Sequence, residues 1–262
     1  MPIATNHARE RLARGELALG FGVHHLRGAA VGLLAAAAGY DWLFIDMEHG
    51  AMSVQEAAQI SIAALGQGIT PIVRCCKDAL HEGTRALDNG AMGVVVPHVD
   101  TAAEAREVAA AYRFPPVGHR SWGGPPFAYA MAAPPPAEAQ AELNRDVLVA
   151  CMVETPEAVR NAREIAAVPG VDVLLIGTSD LTASMGIAGQ IGHPGVRAAY
   201  EAVAEACRAE GKTLGMGGVY DETHAAAYIK LGARFLLSGS DHTMLMAGAT
   251  SRSRFLRGLQ AG

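Results

Sequence analysis

The sequence predicts an α/β protein built as a closed (β/α)8 barrel, and three observations lead there. Apolar, β-branched runs alternate with alanine-rich stretches of helical spacing, a pattern that implies a parallel sheet. The runs are apolar at nearly every position, as strands covered on both faces must be. Eight such units fit in 262 residues, a usual size for one barrel, so a single domain over residues 1–262 is expected. An open doubly wound sheet has less support. No run leads into a Gly-x-Gly-x-x-Gly helix start, and the glycine-rich segment 215–218 is a poor match to one.

Taken in order, the expected strands are residues 17–23, 42–46, 71–75, 93–99, 147–154, 171–177, 213–218 and 235–239. The expected helices between them are 54–65, 79–89, 102–112, 157–168, 195–209 and 221–231. Ser53 followed by Glu56 reads as a capping box opening the first of these. Segment 114–142 is rich in proline, glycine and alanine and is long for a connection. It follows a helix and precedes the fifth strand, so it leaves from the N-terminal face, opposite the face where such barrels carry their sites. A role for it in a site would therefore be served to a neighbouring subunit. The tail, 244–259, reads as an extra apolar-basic C-terminal helix that closes the barrel or packs on a partner.

Composition excludes several classes. Half the residues are hydrophobic, and the net charge of −5 comes with no basic block, which argues against nucleic-acid binding. No apolar run approaches the ~18 residues of a membrane helix, and the first ten residues lack the apolar stretch of a signal peptide, so a cytoplasmic protein is expected. Cys75, Cys76, Cys151 and Cys207 form no Cys-x-x-Cys pair and no zinc-type spacing with histidine. Cys75 and Cys151 sit in apolar runs and read as small core residues.

Polar groups gather where the strands should surface. The run 42–46 breaks into Asp46, Glu48, His49 and Gly50, and two acids with a histidine are more than a strand end needs for folding. Arg74 closes the third run, His98 follows the fourth, Glu154 closes the fifth and Asp180 follows the sixth. In a barrel these ends share one mouth. Glu154 and Asp180 are hard oxygen donors that suit Mg²⁺, Mn²⁺ or a similar ion. The bland alternatives are a helix-start acid for Glu154, an N-cap for Asp180, an internal ion pair for Arg74 and a structural role for His98. The chain has only Lys77, Lys212 and Lys230, none placed for a buried Schiff base, so metal chemistry is the better expectation.

At this point Phe44-Ile45-Asp46-Met47-Glu48-His49-Gly50, Ile72-Val73-Arg74, Val95-Val96-Pro97-His98-Val99, Val153-Glu154-Thr155 and Ile176-Gly177-Thr178-Ser179-Asp180-Leu181 resemble the HpcH/HpaI class II pyruvate aldolases. The resemblance runs from about Leu17 to Leu259 and spans five strand ends in order. It implies a phosphoenolpyruvate/pyruvate-type barrel that joins pyruvate, or hydroxypyruvate, to an aldehyde and cleaves 4-hydroxy-2-oxo acids. It implies a divalent cofactor (Mg²⁺, Mn²⁺ or Co²⁺) held by Glu154 and Asp180, with His49 as the base and Arg74 supporting the enolate. Asp88 matches an acid that raises the basicity of the histidine and in relatives comes from an adjacent subunit. Ser179, with the backbone near Gly177 and Thr178, matches the site of the keto-acid carboxylate. A homo-oligomer, hexameric in relatives, is implied.

Two positions depart from the family pattern. Met152 stands where relatives often have glutamine, and Arg120-Ser121-Trp122-Gly123 stands where relatives usually have Arg-Gly-small-Gly. Met152 removes a side-chain amide from the donor site, and Trp122 narrows the acceptor pocket or gives it a flat apolar wall. Two other readings share these residues: an acyl-CoA lyase of the same superfamily, which would want a basic patch for its nucleotide, and a non-catalytic barrel that binds a keto acid.

Overall fold

In the computed structural model, which describes residues 4–259, eight parallel strands close into a barrel in chain order, each paired to the next and the last to the first. Helix α1 (His7–Ala13) precedes β1 (Ala18–Val23), α2 (Ala30–Ala37), β2 (Trp42–Asp46), α3 (Val54–Leu65), β3 (Thr70–Arg74), α4 (Leu80–Asp88), β4 (Gly93–Val96) and α5 (Ala102–Tyr112). A 3-10 turn (Phe127–Tyr129) and α6 (Pro136–Asp146) lead to β5 (Leu148–Val153). Then come α7 (Pro156–Arg160), α8 (Ala162–Ala166), β6 (Val173–Gly177), α9 (Thr178–Ser184), α10 (Pro194–Ala209), β7 (Thr213–Gly217), α11 (Glu222–Leu231), β8 (Ala233–Ser240) and α12 (Asp241–Gly258).

The continuous apolar runs are explained by two cores. Along β2, Trp42 and Phe44 face the barrel interior with Ile72, Val95, Leu175 and Phe235, while Leu43 and Ile45 face the helices. Alternation along a strand therefore yields two buried faces rather than one buried and one wet. Trp42 stacks on Phe235 with ring centroids 4.0 Å apart and donates its indole N–H to the Ala18 carbonyl at 3.1 Å. A Cβ at Gly20 would run into the Trp42 ring, which is why β1 carries glycine there. Helix α1 plugs the N-terminal end: Ala8 joins the interior core, and the Asn6 amide donates to the Met92 and Asp146 carbonyls at 2.9 and 2.8 Å.

All eight expected strands are present. The expected helix 157–168 is broken at Asn161, whose side chain donates to the Asp100 carbonyl at 2.8 Å and ends α7 before α8 begins. The long connection 114–142 is not structureless to its end, because Pro136 starts α6 as an N-terminal proline does. Helix α3 opens on the expected capping box, Ser53 and Glu56 each bonded to the other's backbone N–H. The tail helix begins at Asp241, earlier than expected, and leaves Leu245, Met246, Phe255 and Leu256 exposed. Among the described residues no helix is long and apolar enough to cross a membrane. All four cysteines are free thiols, and Cys75, Cys151 and Cys207 are buried, where loss of solvation pushes the first to about 11 and the other two to about 12.

Candidate active site

Strand register sets the first half of the site. Asp46 ends β2 directly beside Arg74 at the end of β3. Arg74 grips the fully buried Asp46 carboxylate with both prongs of its guanidinium, Nε to Oδ1 at 2.9 Å and Nη2 to Oδ2 at 2.7 Å. The backbone N–H groups of Glu48 and His49 add to Asp46 Oδ1 at 3.0 and 3.3 Å, which turns the chain sharply after β2. Burial pushes the Asp46 carboxyl up, but the Arg74 hydrogen bonds and charge outweigh it and hold it below the usual aspartate range. The third guanidinium nitrogen, Nη1, pairs with Glu48 Oε2 at 2.9 Å, outside hydrogen-bond geometry. The Arg74 plane lies 5.0 Å over the Phe44 ring.

Strands four to six supply the second half. Glu154 follows β5 and is almost wholly buried. Its Oε2 accepts the His98 backbone N–H at 2.8 Å, and His98 reaches that orientation in the left-handed region, at φ 55°. Its Oε1 lies against Gly177, where any Cβ would collide with the carboxylate. Burial, helped by the nearby charge of Asp180, raises the Glu154 carboxyl above the ordinary glutamate value despite the His98 N–H and Arg74. Helix α9 starts at Thr178 without a side-chain cap, so Thr178, Ser179 and Asp180 form its first turn. The Thr178 hydroxyl is taken internally by Tyr200 at 2.8 Å.

Arg74, Glu154 and the first turn of α9 meet in one cavity of about 330 Å³ at the C-terminal end of the strands, which Asp46, Glu48 and His98 do not line. Of the residues expected from sequence, His49, Arg74, Met152, Glu154, Gly177, Thr178, Ser179 and Asp180 line it. Asp88 and Trp122 do not. They gather elsewhere, where Arg120 Nη2 donates to Asp88 Oδ1 at 2.7 Å and Trp122 packs edge-on against Phe114 at 5.8 Å. Lys77 is committed to the His98 carbonyl and to Glu104 Oε1, both at 2.6 Å, and is not a cavity group. The cavity also holds His24 and Tyr220, which the sequence reading missed. The signal for His24 was present, since His24 follows the first run as His49 follows the second.

The donors fit a divalent ion. Glu154 and Asp180 are hard oxygen ligands lining one space, and Gly177 leaves room beside Glu154 that a side chain would close. Among the described residues no three His, Cys, Asp or Glu side chains form a ready-made cage. The protein would thus supply two carboxylates, leaving other positions to substrate and water.

A cavity at this end of a (β/α)8 barrel, lined by an arginine, two carboxylates and two imidazoles from different strands, marks an enzyme, and the chain's kinship makes it a carbon–carbon lyase. The chain matches the sequence model of the HpcH/HpaI aldolase/citrate lyase family over residues 28–247, and it belongs to that family. It is 39% identical over 248 residues to a 4-hydroxy-4-methyl-2-oxoglutarate aldolase of Chaetomium globosum, covering 93% of this chain and 92% of the other. It is 36% identical over 247 residues to a hydroxypyruvate/pyruvate aldolase of Pseudomonas aeruginosa, covering 94% and 91%. Among solved structures, an HpcH/HpaI aldolase from Desulfitobacterium hafniense superposes with a TM-score of 0.85 at 27% identity over 96% of each chain.

Proposed function

We propose that this chain is a divalent-metal-dependent aldolase that adds the enolate of pyruvate, or hydroxypyruvate, to a carbonyl acceptor and cleaves 4-hydroxy-2-oxo acids in reverse. The observation that carries the reading is the meeting of Arg74, His49, Glu154 and Asp180 around one small cavity. The names of its relatives support the substrate class. Glu154 and Asp180 hold the ion, which when bound supplies Lewis acidity to the keto acid's oxygens; Mg²⁺, Mn²⁺ and Co²⁺ all suit the donors. The first turn of α9, which has no side-chain cap, faces the keto-acid carboxylate near Ser179, as a helix start favours. Arg74 supports the oxyanion of the enolate. His49 Nε2 moves a proton at the carbon next to the ketone. Met152 gives the donor site an apolar wall, which leaves space for a donor larger than pyruvate.

The reading is tested by proton NMR in D₂O. Pyruvate or hydroxypyruvate should exchange its protons next to the ketone only with protein and divalent metal together, and EDTA should stop exchange reversibly. His49→Ala should lose exchange while staying folded. Full activity after exhaustive EDTA dialysis would remove the ion from the scheme, and exchange by His49→Ala would remove the histidine.

We further infer a homo-oligomer, hexameric by analogy, in which Asp88 and the Trp122 loop complete a neighbour's site. Neither lines its own chain's cavity, which, with the exposed apolar side chains of α12, supports it. If so, mixing and reassembling two inactive variants, Asp88→Asn and His49→Ala, restores partial activity. Two dead variants that stay dead after subunit exchange, verified by mass spectrometry, would place each site within one chain.

A further inference from the structure

The proposed reaction moves protons at two atoms, and the cavity has two imidazoles. His49 is the more exposed, with 63% of its side chain accessible and Glu48 near it, Nε2 to Oε2 at 3.8 Å. His24 is enclosed, at 21%. Its main chain is pinned: the N–H groups of His24, His25 and Leu26 all donate to Oδ2 of the buried Asp241, at 3.1, 2.7 and 2.6 Å. Its ring is pinned as well, with Nδ1 3.1 Å from Asp46 Oδ2, on the carboxylate that Arg74 grips from the other side. The contact lies outside hydrogen-bond geometry, so it acts through charge: the carboxylate beside Nδ1 favours the tautomer with the proton on Nδ1 and leaves Nε2, at the far edge of a ring that lines the cavity, as a base.

We propose that His24 is a second catalytic acid–base residue, oriented by Asp46, that takes and returns the proton of the substrate's C4 hydroxyl while His49 serves C3. The assignment rests on the aldolase reading above. In cleavage, His24 Nε2 removes the C4 hydroxyl proton and the oxygen's electron pair forms the new carbonyl. The C3–C4 bond breaks, and its pair becomes the C2–C3 double bond of the enolate beside Arg74. C3 then takes a proton from His49, which draws one from solvent, and His24 gives its proton back to solvent. Addition runs the same steps backwards with no net change in protons.

The groups facing His24 are Asp46 on β2, Arg74 on β3, His25 beside it, and Asp241 and His242 at the start of α12. Burial, aided by Arg74 and His242, outweighs the two carboxylates and holds the imidazole below its ordinary value. His24 is therefore neutral, as a base must be, at pH 7.

The test separates the two halves of the reaction. His24→Asn keeps an amide N–H where Nδ1 stood, so Asp46 and Arg74 stay in place, and it removes Nε2. Metal-loaded wild type and variant are compared in two assays: deuterium exchange into pyruvate, and cleavage of 4-hydroxy-4-methyl-2-oxoglutarate, with pyruvate addition to glyoxylate as a second acceptor assay. His24→Asn should keep exchange within about three-fold and lose cleavage and addition by about 100-fold or more. His24→Gln, which returns a nitrogen near the Nε2 position that cannot take a proton, should be equally poor and provides the same reading if the Asn variant misfolds. A loss of ten-fold or less, rescue by glutamine, or parallel loss of exchange and carbon–carbon chemistry would each overturn the assignment. Wild type that neither exchanges nor cleaves would instead overturn the aldolase reading beneath it.

Discussion

Replacing Arg74 with alanine is expected to abolish turnover and also to destabilise the fold by about 3–5 kcal/mol, the usual effect of stripping one partner from a buried ion pair. The guanidinium supports the proposed enolate, so activity falls first. Arg74 is also the fork that neutralises Asp46, which has no exposure to water. Without it, only the backbone N–H groups and His24 face that carboxylate. The sign with pH follows. In the native protein the Asp46 carboxyl is held below its unfolded value, so the pair's contribution is present above the unfolded aspartate range and is lost as pH falls through the lower folded value. In the variant, burial acts on Asp46 unopposed by the arginine, so the deficit is largest near neutrality and shrinks on acidification. Urea denaturation at neutral and acid pH measures both. Adding Asp46→Asn to Arg74→Ala should recover stability and no activity. An Arg74→Ala protein as stable as wild type at pH 7 would mean that the ion pair carries none of the assigned energy. Lysine is a poor substitute, since a single ammonium cannot reproduce the two-pronged contact.

Gly177→Ala is expected to weaken divalent-ion binding by about 10–100-fold, the range seen when a ligand's support is disturbed. The added methyl would sit 2.8 Å from Glu154 Cγ and 3.0 Å from its Cδ, closer than carbon atoms tolerate. Glu154 would have to swing away from Asp180 or release the His98 N–H. The backbone at Gly177 has φ −86°, which alanine adopts freely, so the effect is one of space alone. Calorimetric titration with Mn²⁺, alongside thermal unfolding of the metal-free protein, separates ligand displacement from loss of fold. Unchanged affinity would move the ion away from Glu154.

The barrel was legible because each strand writes itself as an apolar run, and its mouth because His49, Arg74, Glu154 and Asp180 lie at or just past the ends of those runs. What was not legible depends on neighbours. The ion pair of Asp46 with Arg74 requires the β2–β3 register, and His24 is held by Asp46, 22 residues on, and by Asp241 at the far end of the chain. His98, for which the sequence left a structural role beside a place at the mouth, holds Glu154 by its main chain, a contact that no side-chain pattern announces. Helix α2, Ala-Val-Gly-Leu-Leu-Ala-Ala-Ala, has no polar face to give it a period, and α9 is too short to show one. Asn161 breaks a helix through a hydrogen bond to a distant loop.

The two tryptophans occupy unlike settings, and this makes the chain its own optical reporter. Trp42 is sealed inside the barrel against Phe235, so blue emission shielded from aqueous quenchers is expected of it until the sheet opens. Trp122 lies partly open on the loop beside Arg120 and Phe114, so its emission follows whatever covers or uncovers that loop. With Trp122 changed to phenylalanine, the remaining fluorescence records unfolding alone. The difference between the two proteins then isolates events at the loop, without any attached dye.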